Sequence, residues 1–338
     1  MNRKQAGHDP SRLRDCDWEA FMTVMDSFES LQREIDADVK VVQLARQRRD
    51  TFKAALNTAP DVEVVWGSGS LARSTQLQPV HDVDLVVEFD ADEHPEWGQD
   101  GDSAEEAIER CRDLVNDLLS AKNGTHARLV RQVNTAERNR AAKCFIDPPD
   151  ADDAFTVDVM PALKRPDGIL IPFKSERRWT LADPKYLINQ VAERQREWAQ
   201  FRPLVRMLKH WSRQHTADTG RVKSLVMEVL ALDCLHEGNR SEALRRFFVE
   251  ASTHSLEIED PAGLSGLIQL DLDVAGLRRA LEDSAVAASA AVRAVANNDH
   301  AAATQHWQDV FGEAFPLVLP LGGGSGSGPR PIHDSPQG

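Results

Sequence analysis

The sequence predicts an α+β fold: a long N-terminal helix leads into a small mixed sheet with flanking helices, and a C-terminal helical lobe follows. Three patterns predict it. Apolar residues recur every three or four positions through 17–57, short alternating segments occupy 62–160, and from Pro184 to about Phe315 the pattern is almost wholly helical. A cleft between sheet and lobe is the natural place for a ligand.

The first helix carries Trp18, Phe21, Met25, Phe28, Leu31 and Ile35 on one stripe, extended by Val39, Val42, Phe52 and Leu56, until "NTAPD" stops it. "VEVVW" (62–66) is a short strand running into the glycine-serine loop. In 83–89, Val83, Leu85, Val87 and Phe89 alternate onto one face. Ser103-x-x-Glu106 reads as a capping box opening a helix to Leu119, with Ala107, Ile108, Cys111, Leu114, Val115 and Leu118 on its apolar side. Strand-like segments follow at 127–133, 142–146 and 154–160, between polar or proline-containing turns. The tail 321–338, "LGGGSGSGPRPIHDSPQG", has no apolar period and a composition typical of disorder. Three segments result: 1–183 as helix plus sheet core, 184–320 as helical lobe, 321–338 as tail.

Composition narrows the function classes. Of 338 residues, 41% are hydrophobic, enough for a substantial core. No uncharged apolar run approaches the roughly 18 residues that cross a bilayer, and "MNRKQAGHDPSRLRD" lacks a signal peptide's apolar centre. Cys16, Cys111, Cys144 and Cys234 are scattered, without paired metal spacing, which fits reduced thiols in a cytoplasm. A net charge of −14 argues against wrapping long nucleic acid, although Arg and Lys cluster around 174–178 and 202–213. Small ligands, nucleotides included, fit better.

The chemistry concentrates in "GSGSLARSTQLQPVHDVDL" (67–85). On a strand, Asp82 and Asp84 point the same way, opposite the core face. Two neighbouring carboxylates repel, and a hard divalent cation resolves the repulsion. Taken alone, such a pair is equally consistent with edge-strand charges that discourage aggregation. Asp158 tips the balance: in "FTVDVMP", Phe155, Val157 and Val159 face the core, leaving Asp158 on the opposite face with Thr156. Asp147, Asp150, Asp152 and Asp153 lie in a proline-rich turn and read as solvated, and His81 reads as a loop residue. A strand entering a glycine turn and a short helix suits phosphate, and either Gly67-Ser68 or Gly69-Ser70 could serve.

"GSLARSTQLQPVHDVDL" resembles the signature of nucleotidyltransferases related to DNA polymerase β. It is most similar to the bacterial cyclic-oligonucleotide synthases (CD-NTases) of CBASS anti-phage systems, relatives of cyclic GMP-AMP synthase and oligoadenylate synthase. Gly69, Ser70, Arg73, Thr75, Leu77, Pro79, Asp82 and Asp84 meet that spacing without a gap. The register makes Gly69-Ser70 the phosphate loop and leaves Gly67-Ser68 as the strand's end. "VDVMPAL" (157–163), "RRWTLADPKYLINQ" (177–190), "RPLVRMLKHWSRQ" and "VKSLVMEVLA" resemble later family segments in the same order, over roughly 60–235.

The resemblance implies a polymerase β-like core in which Asp82, Asp84 and Asp158 hold two Mg²⁺ ions, with Mn²⁺ as an alternative. It further implies that Gly69, Ser70, Arg73, Thr75, Lys209 and Ser224 bind the nucleoside triphosphate. Without it, Lys209 reads as the solvated flank of a helix whose stripe is Leu204, Leu208 and Trp211. Two positions depart from the family: Ser74 stands where glycine is common, and Leu225 where relatives place a base-stacking aromatic. Trp179 and Tyr186 are the candidates to stack instead.

The implied activity is synthesis of a cyclic di- or trinucleotide second messenger from NTPs, with a downstream effector acting through the product. The alternatives are transfer to RNA ends, a protein or a small molecule, and a non-catalytic regulatory binder of the same fold. The resemblance also implies a ubiquitin-activating-like or other CBASS regulatory partner, for which Gly338 would be the conjugation terminus.

Overall fold

The computed structural model describes residues 23–121, 124 and 128–318. Among them the N-terminal helical stretch is two helices, α1 (Val24–Ile35) and α2 (Val39–Leu56), where the apolar spacing predicts one. The break at 36–38 has a tertiary cause. Asp36 turns out of the helix to accept from Arg206 Nε at 2.5 Å and Nη2 at 3.0 Å, and it bridges to Leu77. Asp38 then caps α2, accepting from the amides of Lys40 and Val41. Val24 rather than Met25 enters the core, and Val39 is 69% exposed. Residues 17–22 and the tail 321–338, with Gly338, lie outside the described residues.

The sheet follows as β1 (Val62–Ser68), the short helix α3 (Gly69–Arg73), β2 (Asp82–Phe89), α4 (Ser103–Leu119), β3 (Gln132–Asn134), β4 (Ala142–Phe145), β5 (Thr156–Arg165), β6 (Gly168–Phe173) and β7 (Arg178–Ala182). Strands lie in the order β1-β2-β5-β4-β3, with β6 pairing β5 and β7. Only the β2/β5 pair among these is parallel. Alternation works as predicted: Val83, Leu85, Val87, Phe89, Val157 and Val159 are buried under α2 and α4. Within the predicted strand 127–133, the described residues form only the bridge of Val130 to Ser120 and the start of β3.

Two local expectations differ. Ser103 does not cap α4: Asp102 takes that position, and the Ser103 hydroxyl bonds Gln99 and Trp179 instead. The hairpin β6–β7 (168–182) has no counterpart in the alternation pattern. It pairs with the end of β5, and its Ile169, Ile171 and Ala182 cover Val86 and Ala162 on the sheet's second face.

The helical part comprises α5 (Pro184–Glu197), α6 (Phe201–Gln214), α7 (Thr216–Thr219), α8 (Ser224–Cys234), α9 (Arg240–Thr253), α10 (Val274–Ala296) and α11 (His300–Phe311). Pro184 opens α5, with Asp183 accepting from the amides of Lys185 and Tyr186. Phe28, Leu31 and Ile35 of α1 bury among Trp211, Trp307, Phe311 and Phe315, so the first helix shares the core of the last ones. Helix α1 thus packs against α6 and α11, and α5 lies against β1 and α3. Glu88 ties α5 to the sheet, accepting from Trp66 Nε1 at 2.5 Å and Lys185 Nζ at 3.0 Å.

Candidate active site

The parallel register of β2 and β5 places Asp82 opposite Thr156 and Asp84 opposite Asp158. Alternation turns all three carboxylates to the same face, away from the sheet's main core. An oxygen from each lies within 4.8 Å of the other two, a donor set that could hold a metal ion. Asp82 Oδ1 accepts from the Thr156 hydroxyl at 2.9 Å. Asp158 Oδ1 is buried with no hydrogen-bond partner, and Lys143 Nζ stands 3.8 Å off.

Burial, followed by the charges of Asp82 and Asp158, pushes the Asp84 carboxyl up to about 7. Burial and then Asp82 raise Asp158 in the same direction. Hard oxygen donors, mutual repulsion and an unpartnered buried oxygen are what a divalent cation would relieve, so the residues fit one.

A pH dependence follows. Between the ordinary value of 3.8 and about 7, the folded protein holds a proton at Asp84 that the unfolded chain releases. Stability conferred by that proton is complete below 3.8 and is lost as pH rises through about 7. In EDTA the melting temperature is expected to fall by a few degrees from pH 5 to 7.5, and millimolar Mg²⁺ at pH 7.5 should restore it. A flat profile, unmoved by Mg²⁺, would contradict the arrangement.

Gly69 sits against this cluster at φ +68°, in the left-handed region where glycine is favoured. A Cβ there would fall 1.6 Å from Asp84 Oδ2. Gly67 and Ser68 belong to β1, paired with Leu85 and Asp84, and a Cβ on Gly67 would meet only the flexible side chain of Arg49 at 3.1 Å. The two glycine-serine pairs thus differ in geometry as well as in register.

Gly69, Arg73, Asp84 and Asp158 line one cavity of about 480 Å³, together with Lys223 and Leu225 from the start of α8. Lys209 and Ser224 line an adjoining cavity of about 300 Å³ with Arg213, Arg221 and the same Lys223. Ser224 is exposed at the first position of α8, whereas Lys209 is buried. Ser70 stands half-buried at the start of α3.

Glu228, four residues after Ser224 and wholly buried, is not among the site residues expected from the sequence. Its carboxylate accepts from Arg73 Nε at 2.7 Å, Arg73 Nη2 at 3.1 Å, the Thr75 hydroxyl at 2.8 Å and Lys209 Nζ at 3.1 Å. Lys209 Nζ also donates to the Thr75 carbonyl at 2.8 Å. Burial pushes the Glu228 carboxyl up, but Arg73 and Lys209 outweigh it, and the net direction is down. Thr75 therefore reaches the site through Glu228 and presents no free group to the cavity. An acidic residue inside the apolar run "LVMEVLAL" was the one available hint.

The stacking candidates turn elsewhere. Trp179 is 8% exposed, donates from Nε1 to Ser103 Oγ at 2.9 Å and packs on Trp97, so it is core and not a platform. Tyr186 lines a different cavity, with Arg194 and His254. His81 is an exposed loop residue and Asp150, Asp152 and Asp153 are solvated, as expected, whereas Asp147 is half-buried and accepts from the Phe155 amide at 3.1 Å.

Residues 22–195 match the model of the Second Messenger Oligonucleotide or Dinucleotide Synthetase domain. A probable cyclic nucleotide synthase of Bacillus cereus (strain VD146) is 23% identical over 329 residues, covering 85% of this chain and 95% of that protein. The structure of CdnC from E. coli MS115-1, in complex with HORMA-deltaN, superposes with a TM-score of 0.65 at 20% identity, over 88% of this chain and 99% of that one. The Rhodothermus marinus CdnE c-UMP-AMP synthase gives 0.54 at 17% identity, over 76% and 93%. The structural likenesses establish the fold. The domain match spans more than half of the chain and includes Asp82, Asp84 and Asp158, and the chain belongs to the second messenger oligonucleotide or dinucleotide synthetase family of nucleotidyltransferases, the bacterial CD-NTases.

Proposed function

We propose that this nucleotidyltransferase condenses NTPs into a cyclic di- or trinucleotide for CBASS-type signalling in the cytoplasm. The observation that carries the reading is the convergence of Asp82, Asp84 and Asp158 beside Gly69. Asp82, Asp84 and Asp158 would hold Mg²⁺ (or Mn²⁺), which supplies Lewis-acid activation of an acceptor hydroxyl and charge relief on leaving pyrophosphate.

The chain's own residues position the substrates. Gly69 brings the backbone of the loop against the acidic cluster, and Ser70 follows at the start of α3. Ser224 and Lys223 face the phosphates from the lobe, while Arg73 and Lys209 contribute positive charge fixed in place by Glu228. Thr75 acts by orienting that carboxylate. Such a two-sided grip aligns attacking and leaving oxygens and turns an encounter into an in-line displacement. In this division of labour, 1–183 supplies the catalytic face and 184–320 the opposing phosphate face.

Incubation with the four NTPs and Mg²⁺, with products resolved by mass spectrometry, tests the reading. Cyclic oligonucleotides formed without any added acceptor support it; transfer only to RNA, protein or a small molecule overturns it. Gly69→Ala is expected to lower pyrophosphate release by about a hundredfold or more, because the new methyl displaces Asp84 or the loop. The corresponding Gly67→Ala should stay within a few-fold of the parent.

The HORMA-deltaN complex of E. coli CdnC makes a regulatory protein partner part of the proposal. Among the described residues no helix is long and apolar enough to cross a membrane.

A further inference from the structure

Arg206, inside the cationic stretch 202–213, and Ser74, the residue that ends α3, line neither of the two cavities beside the acidic cluster. They meet each other instead: Arg206 Nη1 donates to the Ser74 carbonyl at 3.0 Å. Ser74 lies at φ +58° and ψ +37°, the left-handed conformation that a side chain disfavours. The surrounding site depends on that conformation. It lets the Thr75 amide turn back to the Ser70 carbonyl at 3.0 Å, closing the short helix that starts at Gly69. It also sends the Thr75 hydroxyl to Glu228 and the Thr75 carbonyl to Lys209, both at 2.8 Å.

What holds a serine there comes from distant parts of the chain. Arg206 grips both oxygens of Asp36, from Nε at 2.5 Å and from Nη2 at 3.0 Å. A planar fork held at two points has one orientation, and it leaves Nη1 directed at Ser74. Gln32 Nε2 steadies the Asp36 carboxylate at 3.1 Å. The far end of the loop is fastened to the same place: Leu77 bridges to Asp36, and the Gln78 amide donates to Ile35 O at 3.2 Å. Further along the same face of α6, Lys209 meets the Thr75 carbonyl and Arg213 Nη1 stands 3.5 Å from the Gln78 carbonyl. Loop 74–78 is therefore strapped between the end of α1 and α6.

We propose that Arg206 is a positioning residue for nucleotidyl transfer: oriented by Asp36, it holds Ser74 left-handed and so keeps Gly69–Arg73 where Gly69 meets the acidic cluster. This rests on the catalytic reading of that loop. Without Arg206, Ser74 relaxes toward the right-handed and extended regions that a Cβ favours, and the incoming triphosphate must first restore the loop. Such a penalty falls on apparent affinity and spares the chemical step once substrate saturates.

Steady-state pyrophosphate release from NTPs in Mg²⁺ tests this, at a temperature well below the melting of every variant. Arg206→Ala is expected to raise KM about five- to tenfold, with kcat within about twofold of the parent. Asp36 keeps Gln32 and the charge of Arg240 nearby, so the variant does not strand a carboxylate. Ser74→Gly, free to adopt the left-handed conformation, should by itself behave as the parent, and it should return Arg206→Ala to within about twofold of the parent KM. Ser74→Ala, which removes the hydroxyl and keeps the Cβ, should not rescue. If Arg206→Ala does not fold, Arg206→Lys carries the same comparison, since one ammonium cannot hold Asp36 and the Ser74 carbonyl in a fixed fork. KM unmoved in the Arg206 variant, whatever its melting temperature, or a glycine double variant no better than the single one, overturns the inference. A parent protein that releases no pyrophosphate overturns the catalytic reading instead.

Discussion

Asp158→Asn is expected to reduce pyrophosphate release from NTPs by about a thousandfold or more while leaving the fold intact. The amide keeps the shape of the side chain but offers a neutral ligand where the donor set depends on charge. Its effect on stability should run the other way. Burial, and then the repulsion within a like-charged cluster, raise Asp84 and Asp158 together. Removing one charge therefore relieves the metal-free protein, and in EDTA at pH 7.5 the variant should melt at or above the parent. The pairing of lost turnover with retained or improved stability separates a catalytic carboxylate from a structural one. Turnover within a few-fold of the parent would remove Asp158 from the chemistry.

Glu228→Ala is expected to cost about 3–5 kcal/mol of folding stability, the range for breaking a buried ion pair by removing one partner. The substitution strands Arg73 and Lys209, both buried, and takes the acceptor from Thr75. These partners come from α3, the loop after it and α6, while Glu228 stands on α8, so the loss falls where the sheet meets the lobe. Urea unfolding measures it, and Glu228→Gln should lie between, since an amide oxygen can still accept. The charge matters with a definite sign. The folded carboxyl titrates below its ordinary range, so its contribution is complete at neutral pH and is lost only as acid protonates it. A loss within about 1 kcal/mol for the alanine variant would mean that water solvates the stranded cations, contrary to their burial.

Residues in contact along a strand or a helix turn were legible. The alternation through Val83–Phe89 and Phe155–Val159 is a property of neighbours two apart, and it correctly oriented Asp82, Asp84 and Asp158. Pro184 after Asp183 announced α5 in the same local way. Residue types left both glycine-serine pairs open, and only the family resemblance, through its register from Gly69 to Asp84, pointed to Gly69. The structure adds the reason: only at Gly69 would a side chain collide with Asp84.

What eluded the one-dimensional pattern is what long-range partners impose. The helix break at 36–38 follows Arg206, some 170 positions away, and the mispredicted cap at Ser103 follows Trp179. Local propensity is worth tenths of a kcal/mol per residue and yields to such contacts. The short hairpin β6–β7 gains its stability only by pairing with β5.

The polypeptide by itself determined the chemistry available: three acidic side chains on core-facing strands and a glycine where the backbone must come close. Folding alone decided how that chemistry is equipped. It brought Glu228 between Arg73 and Lys209, with the Thr75 hydroxyl on the same carboxylate. Periodicity records which way a side chain leaves its own element, whereas a partner from a distant element is chosen by packing, which has no local signature.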